Sequence, residues 1–193
     1  MKWFIASDIH GSAAWCERLL RRYAEEGADR LVLLGDILYH GPRNDLPEGY
    51  APKEVIAQLS PLKDRILCVR GNCEAEVDQM VLPFPVLADY ALLAEETRLV
   101  YLTHGHIHNA QNLPPISAGD VLLHGHTHVP CCETVQGIHV LNPGSVSIPN
   151  ENSWHGYMTL ENGVFVWKDV ETGEEKMRFA WAGCGSNPNP PLD

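Results

Sequence analysis

The chain contains no apolar run that approaches the length of a membrane-spanning helix, and the apolar stretch nearest its start covers only Trp3–Ala6. Its six cysteines include no C-x-x-C pair, and a chain of 193 residues is not a short disulfide-stapled scaffold. We therefore expect no membrane span, reduced thiols and a cytoplasmic location.

Positive charge is also scarce. Lys and Arg number 14 against 25 Asp and Glu, which gives a formal net charge of -11 at pH 7. Proteins that follow long nucleic acids need many cationic side chains to neutralise phosphates. We therefore do not expect long nucleic acid as a partner, although a local cationic site can still attract a small anion.

Length and composition predict one folded domain. The 193 residues can bury a substantial core, and 45% of them are hydrophobic while 20% are charged. No shift in composition marks a domain boundary. We expect a single domain over residues 1–182 and an irregular tail over residues 183–193, which are rich in Pro, Asn and Gly.

The pattern of apolar residues predicts an α/β fold. In the first half, expected strands at residues 2–7, 30–34 and 65–69 alternate with a helix that ends near Gly27 and a helix over 52–59, which implies parallel pairing. In the second half we expect largely antiparallel strands at residues 86–94, 97–103, 121–123, 132–135, 138–141, 156–160 and 164–170. Together these elements predict two packed mixed β-sheets flanked by helices.

Polar side chains follow five of these predicted strands. Asp8 and His10 are two residues apart, so an extended backbone would direct both to the same face. Taken singly, each such residue is more typical of a turn or a helix cap. Together they predict one site at the carboxyl ends of the strands. The full set is Asp8, His10, Asp36, Asn72, His104, His126 and His128.

This order of motifs, D-x-H, G-D, G-N-C, H and G-H-x-H, resembles the calcineurin-like metallophosphoesterase superfamily and, within it, the bacterial YfcE-type phosphodiesterases. The resemblance spans nearly the whole chain. Its longest segments are Asp8–Gly11, His40–Asn44, Gly71–Met80, Thr103–His106, Gly125–His128 and Asn142–Ser147. It implies a four-layer α/β/β/α sandwich.

The resemblance also implies two divalent metal ions. One would be held by Asp8, His10 and His128, the other by Asn72, His104 and His126, and the Asp36 carboxylate would bridge them. Four imidazoles, two carboxylates and one amide oxygen suit Mn²⁺, Fe or Zn²⁺ better than Mg²⁺ or Ca²⁺, and we expect manganese.

The implied function is a metal-dependent phosphodiesterase. Two ions about 3.5–4 Å apart would lower the pKa of a bridging water, and the resulting hydroxide would attack a small phosphodiester in line. Two divalent ions beside two carboxylates leave a local surplus of positive charge, which suits an anionic substrate.

Three further residues are candidates for catalytic roles. Cys73 occupies the position where many relatives carry a His thought to act as general acid, and a small Cys there is more typical of packing. Without that His, substrates with good leaving groups, such as aryl diesters, are expected to be favoured. Arg43 is either a phosphate clamp or a surface side chain. His106 either binds phosphate or supports a metal ligand.

Two alternatives stay open from the sequence. The chain could be a phosphomonoesterase of the same fold, or a non-catalytic scaffold that resembles the retromer subunit. The second alternative conflicts with the presence of all seven ligand residues. Exposed edges of the predicted hairpins favour a symmetric homo-oligomer.

Overall fold

Two mixed β-sheets form the centre of the molecule in the computed structural model, which describes residues 1–95 and 98–181. In this part of the chain the first sheet has the strand order β11-β10-β9-β1-β2-β3 and the second the order β4-β5-β6-β8-β7. The strands are β1 (Trp3–Ala6), β2 (Arg30–Leu33), β3 (Ile66–Cys68), β4 (Ala91–Glu95), β5 (Arg98–Leu102), β6 (Val121–Leu123), β7 (Cys131–Val135), β8 (Ile138–Asn142), β9 (Gly156–Glu161), β10 (Val164–Asp169) and β11 (Glu175–Ala180). The helices are α1 (Ala13–Glu26), α2 (Pro52–Leu59) and α3 (Glu76–Val81), and a 3₁₀ helix covers Ser60–Arg65.

The strand–helix alternation of the first half produces parallel pairing, as predicted. Strand β1 pairs with β2, and β2 pairs with β3, both in parallel. Helix α1 begins after Ser12, whose Oγ accepts a hydrogen bond of 3.2 Å from the Trp15 N–H, and ends at Gly27 with a φ of 59°. Pro52 starts α2 from the position where its missing N–H costs nothing.

One hydrophobic core lies between the two sheets. Ile5 and Val32 of the first sheet pack in it with Leu102 and Leu123 of the second, and all four side chains are buried. Face-to-face packing of two sheets is therefore confirmed, and the packing brings the ends of β1, β2, β3, β5 and β6 to one edge.

The outer layers differ between the two sheets. Helices α1 and α2 cover the first sheet, and Leu19 and Val55 belong to the same buried cluster as Phe4. The outer face of the second sheet packs against residues 103–120, including Leu113, and this segment contains no helix. The predicted α/β fold of two mixed sheets with helices is confirmed, with a helix-free layer on the second sheet.

Several local predictions were wrong. The second half is largely antiparallel, as expected, but β5 pairs with β6 and β6 with β8 in parallel, because residues 103–120 and 124–137 are long enough to return the chain to the same end of the sheet. Strand β4 starts at Ala91 and not at residue 86. Helix α3 and strand β11 were not predicted, because α3 buries none of its residues and β11 is a mostly exposed edge strand.

The expected hairpin between β9 and β10 is present, whereas the expected tail lies outside the described residues. The Asn162–Gly163 turn joins β9 to β10, and both residues have positive φ, as a tight hairpin requires. No helix of the described residues is long and apolar enough to cross a membrane. The predicted irregular tail, residues 183–193, lies outside the described residues.

Candidate metal centre

All seven predicted ligands converge at this common edge. Loops after β1, β2 and β3 carry Asp8, His10, Asp36 and Asn72, while loops after β5 and β6 carry His104, His126 and His128. The first three loops come from one sheet and the last two from the other. The site therefore lies across the top of the core between the sheets.

One half of the site is formed by Asp8, His10 and His128, which are almost completely buried. The Asp8 Oδ1 atom lies 3.2 Å from His128 Nε2 and 3.5 Å from His10 Nε2. The two Nε2 atoms are 3.1 Å apart. Three potential ligand atoms thus surround one point.

The other half is formed by Asn72, His104 and His126, and it is more open to solvent because Asn72 is exposed. His104 Nε2 lies 3.1 Å from Asn72 Oδ1 and 3.2 Å from His126 Nδ1. Asp36 Oδ2 lies 3.4 Å from His104 Nε2 and 3.7 Å from His10 Nε2. The Asp36 carboxylate therefore lies between the two halves, where a bridging ligand belongs.

Backbone carbonyls fix the imidazole orientations. The Nδ1 atoms of His10, His104 and His128 lie 2.8, 2.7 and 2.7 Å from the carbonyl oxygens of Tyr39, Leu34 and Ile148, respectively. A carbonyl oxygen can only accept, so each Nδ1 carries the hydrogen. In the neutral ring each Nε2 then directs its lone pair into the site, which is the arrangement that metal-ligating histidines usually show.

Asp8 provides the test of whether these residues fit a metal ion. Its side chain is fully buried, and its Oδ1 atom has no hydrogen bond of normal geometry. A buried carboxylate oxygen without a donor is costly, and bare imidazole nitrogens 3.1 Å apart gain nothing from each other. A divalent cation would provide a partner for the carboxylate oxygen and for the imidazole nitrogens. The nitrogen-rich and thiolate-poor donor set fits Mn²⁺, Fe or Zn²⁺.

The pKa shifts reflect the same concentration of negative charge. Burial opposes ionisation of Asp8 and Asp36, but the neighbouring imidazoles outweigh it and hold the pKa of both carboxyls below the usual value. Burial also opposes protonation of His104, yet contact with Asp36 and the charge of Asp8 raise its pKa to about 9. Positive charge is strongly favoured at this point of the structure.

The backbone at the ligands departs from the extended form that the D-x-H spacing suggested. Asp8 and His10 have φ values of 60° and 50°, and Asp36, His126 and His128 have 53°, 66° and 61°. Asp and His tolerate this left-handed region better than most residues, at a cost of about 1–3 kcal/mol each. The extended geometry expected for Asp8 and His10 is wrong, although their side chains do meet.

Hydrogen bonds between the loops hold these conformations. The Asp8 N–H donates to the Gly35 carbonyl at 3.1 Å, and the His10 N–H donates to the Asp36 carbonyl at 2.9 Å. At Gly71 a Cβ atom would overlap Asp36 Oδ1, so only glycine permits the Asn72 loop to approach the Asp36 turn. The paired loops act as one rigid frame.

Glu74 is a supporting residue that the sequence analysis did not identify. Its buried carboxylate accepts hydrogen bonds from the backbone N–H groups of Asp36, Ile37 and Gly71 at 2.9, 2.7 and 2.6 Å. It thus joins the turn that carries Asp36 to the loop that carries Asn72. The only signal was its position within the Gly71–Met80 segment.

The candidate catalytic residues occupy different places. A cavity of about 220 Å³ opens onto the site and is lined by His10, Asp36, Gly41, Pro42, Arg43, Asn44, Asn72, Cys73, His126, His128 and Asn150. Arg43 and Cys73 therefore face the space above the ligands. His106 does not line this cavity. Its exposed ring lies 5.5 Å from the His104 ring, between centroids, and makes no hydrogen bond with a described residue.

Cys73 lies directly against the Asp36 carboxylate. Its N–H donates to Asp36 Oδ1 at 2.9 Å, and its Sγ lies 3.3 Å from Asn72 Nδ2. Burial first, and then the charge of Asp36, raise the pKa of the Cys73 thiol above its ordinary value. Burial and the charge of His104 lower the pKa of His106.

Comparison with known proteins identifies the family. The family model "Calcineurin-like phosphoesterase superfamily domain" matches residues 1–163. The chain is 49% identical over 164 residues to phosphodiesterase YfcE of Escherichia coli K12, covering 85% of this chain and 89% of that protein. It is 26% identical over 171 residues to the probable metallophosphoesterase YsnB of Bacillus subtilis, covering 84% and 86%.

The solved structure of E. coli YfcE, a phosphoesterase, superposes on this chain with a TM-score of 0.90 at 45% identity, covering 93% of this chain and 99% of that one. The predicted family and fold are thereby confirmed. The predicted enzyme class, a hydrolase of phosphoester bonds, is confirmed at the level of the family. The chain belongs to the calcineurin-like phosphoesterase superfamily.

Proposed function

We propose that this protein is a metal-dependent phosphodiesterase that acts on small phosphodiesters. The observation that carries the proposal is the buried Asp8 Oδ1 atom, which has no hydrogen-bond donor and faces the Nε2 atoms of His10 and His128. The similarity to YfcE, a phosphodiesterase, supports the substrate class.

The predicted ligand assignment follows the two halves of the site. Asp8, His10 and His128 would hold one ion, Asn72, His104 and His126 would hold the other, and Asp36 would contact both. We propose Mn²⁺ as the metal, with Fe and Zn²⁺ as alternatives that the same donors suit. When bound, the ions supply a water of lowered pKa and positive charge for the phosphoryl oxygens.

Arg43 and His106 would place the substrate. Arg43 is exposed at the cavity wall, where its guanidinium can donate two parallel hydrogen bonds to non-bridging phosphoryl oxygens. His106 lies outside the cavity, beside the rings of His104 and His126 at the more open half of the site. Its ring makes no hydrogen bond with a described residue and would contact a bound phosphate from the rim.

Leaving-group departure would be largely unassisted. The position that could protonate the leaving oxygen holds the Cys73 thiol, and an imidazole is the more effective proton donor at neutral pH. Aryl diesters, whose phenolate leaves without protonation, should therefore react faster than alkyl diesters. The net charge of -11 and the small cavity favour small substrates over long nucleic acid.

The experiment compares turnover of bis(p-nitrophenyl) phosphate with that of p-nitrophenyl phosphate by Mn²⁺-loaded protein and, separately, by chelated protein. We expect the diester to react at least about 10-fold faster, and chelation to abolish both reactions. A faster monoester would replace the proposal with a phosphomonoesterase. Fewer than one ion per chain with no turnover would favour the scaffold alternative.

We also propose a single domain over residues 1–182, a cytoplasmic location and a symmetric homo-oligomer. Size-exclusion chromatography with light scattering would determine the oligomeric state.

A further inference from the structure

The segment from Asn142 to Ile148 lies directly beneath the Asp8 half of the site, and nothing in the proposed chemistry uses it. We propose that Ser145 is a positioning residue that sets metal affinity in the half formed by Asp8, His10 and His128. This inference rests on the proposed function, because it concerns the same two ions.

Ser145 holds the main chain at Asp8. The Asp8 carbonyl oxygen accepts a hydrogen bond of 2.9 Å from Ser145 Oγ and one of 3.2 Å from Ser147 Oγ, and both serines are buried. Ser145 Oγ also accepts from the N–H groups of Ser147 and Ile148, at 3.2 and 2.9 Å. Since those two bonds occupy its lone pairs, its one hydrogen is directed to Asp8. The bond therefore has a single orientation.

The same segment also holds His128. The Ile148 carbonyl lies 2.7 Å from His128 Nδ1, and the Ile148 N–H is one of the two donors to Ser145 Oγ. Ser145 is thus bonded to the main chain of one ligand, Asp8, and to the residue that orients another, His128. Loss of its hydroxyl would release both at once.

Asn142 holds the loop that carries ligands of both halves. Its fully buried side chain donates to the Gly125 carbonyl at 2.7 Å and to Thr127 Oγ1 at 3.0 Å, while its Oδ1 accepts from the Gly144 N–H at 2.7 Å. Gly125 and Thr127 flank His126, and Thr127 precedes His128. Asn142 therefore supports both halves, whereas Ser145 is bonded only to the Asp8 half.

The opposite half has a separate support. Glu74 joins the Asp36 turn to the Asn72 loop, and among the described residues the Ser145 side chain bonds only to Asp8, Ser147 and Ile148. The halves meet where the His126 N–H donates to Asp8 Oδ2 at 3.1 Å. Loss of the Ser145 hydroxyl should therefore affect the Asp8 half more than the Asn72 half. Supporting residues of this kind typically change metal affinity by about 10- to 100-fold.

The test measures Mn²⁺ binding by calorimetry when only one half is intact. Asn72→Ala leaves the Asp8 half, and His128→Ala leaves the Asn72 half. We expect Ser145→Ala to weaken Mn²⁺ binding at least about 10-fold in the Asn72→Ala background and less than about 2-fold in the His128→Ala background. Equal effects in the two backgrounds, or no effect in either, would overturn the inference.

Ser7→Ala is the matched control. Ser7 is buried next to Asp8, but its Oγ has no hydrogen-bond partner, so this variant removes a hydroxyl from the same neighbourhood without breaking a bond. It should leave both affinities unchanged, and an effect as large as that of Ser145→Ala would show that local repacking alone explains the result.

Unfolding of each metal-free variant is followed by circular dichroism to confirm that it folds. If Ser145→Ala does not fold, Ser147→Ala, which removes the longer bond to Asp8, should give a smaller loss confined to the same half, and no loss would overturn the inference. The proposed function fails separately, if the unaltered protein binds no Mn²⁺ and hydrolyses no diester.

Discussion

Two carboxylates of this protein, the half-buried Glu26 and the buried Asp8, have opposite environments. Glu26, at the end of α1, has a side chain that is only 12% exposed and receives Lys2 Nζ and Lys168 Nζ at 2.6 Å each, together with the Tyr157 hydroxyl at 3.0 Å. Asp8 is completely buried, and one of its oxygens has no hydrogen-bond donor. The chain neutralises Glu26 with its own cations and surrounds Asp8 with imidazoles.

The difference shows which observation separates a structural charge from a metal ligand. The pKa of both carboxyls is lowered, because in each case nearby groups outweigh the opposing effect of burial. The partners differ, however, since lysines carry a permanent charge at neutral pH and imidazoles carry one only when protonated. A buried carboxylate oxygen that has neither a permanent cation nor a hydrogen-bond donor, unlike the oxygens of Glu74, indicates that a cation comes from solution.

The largest expected effect comes from Asp8→Asn. Loss of the carboxylate should reduce diesterase turnover on the order of 1,000-fold or more, because the Asp8 half loses its only anionic ligand apart from Asp36. Saturating Mn²⁺ should raise the free energy of unfolding of the parent and should raise that of Asp8→Asn much less, because an ion stabilises the folded state only as far as it binds there. Turnover assays and urea unfolding measure the two outcomes.

Glu26→Gln is the control for this experiment, and we expect the reverse behaviour, with turnover retained and stability reduced. If Mn²⁺ stabilised Asp8→Asn as strongly as it stabilises Glu26→Gln, the contrast between the two carboxylates would be wrong.

The second-largest expected effect is a rate increase when an imidazole is added to the site. Cys73→His places an imidazole beside Asp36, where it can protonate a leaving oxygen, and general acids contribute about 100-fold or more. We expect the rate on alkyl diesters to rise by about that factor and the rate on aryl diesters to change much less. Similar gains on both substrates would show that proton donation is not the missing function. Cys73→Ser controls for loss of the thiol.

Arg43→Ala should have a moderate effect on substrate binding. Removal of a bidentate phosphate contact costs about 10-fold in KM, with kcat and metal content nearly unchanged. The matched control is Arg178→Ala, because Arg178 is an exposed arginine paired with Glu175 near the Glu26 cluster. An unchanged KM for Arg43→Ala would identify Arg43 as a surface side chain.

The smallest effect concerns Glu26 and pH. Because its folded-state pKa lies below the unfolded value of about 4.3, its stabilisation is complete above that pH and is lost as pH falls through the folded value. Glu26→Gln should lower the free energy of unfolding by about 1–2 kcal/mol at pH 7, since two half-buried lysines lose their partner. The difference from the parent should shrink below about pH 4, as thermal unfolding at both pH values would show. A constant difference would contradict this account.

The sequence predicted the positions of the ligands better than the backbone that brings them together. Apolar periodicity was enough for α1 and for parallel β1, β2 and β3, because both depend on local pattern. It could not predict the left-handed backbone at Asp8 and His10, which depends on hydrogen bonds to a loop about 25 residues away in sequence.

Long-range contacts also explain the supporting residues that were missed. Glu74 and Ser145 act through backbone N–H and carbonyl groups of distant loops, and such bonds leave no periodic signal in the chain. Strand β11 was missed for a different reason, since its exposed and largely polar residues lack the alternation of a half-buried strand.

The central claim is that this edge of the sheets holds two divalent ions that share Asp36. Its most direct test is a crystal structure of the Mn²⁺-loaded protein with anomalous diffraction data collected at the manganese edge. We predict two anomalous peaks, one among Asp8, His10 and His128 and the other among Asn72, His104 and His126, with the Asp36 carboxylate between them. A single peak, or two peaks that Asp36 does not bridge, would contradict the claim.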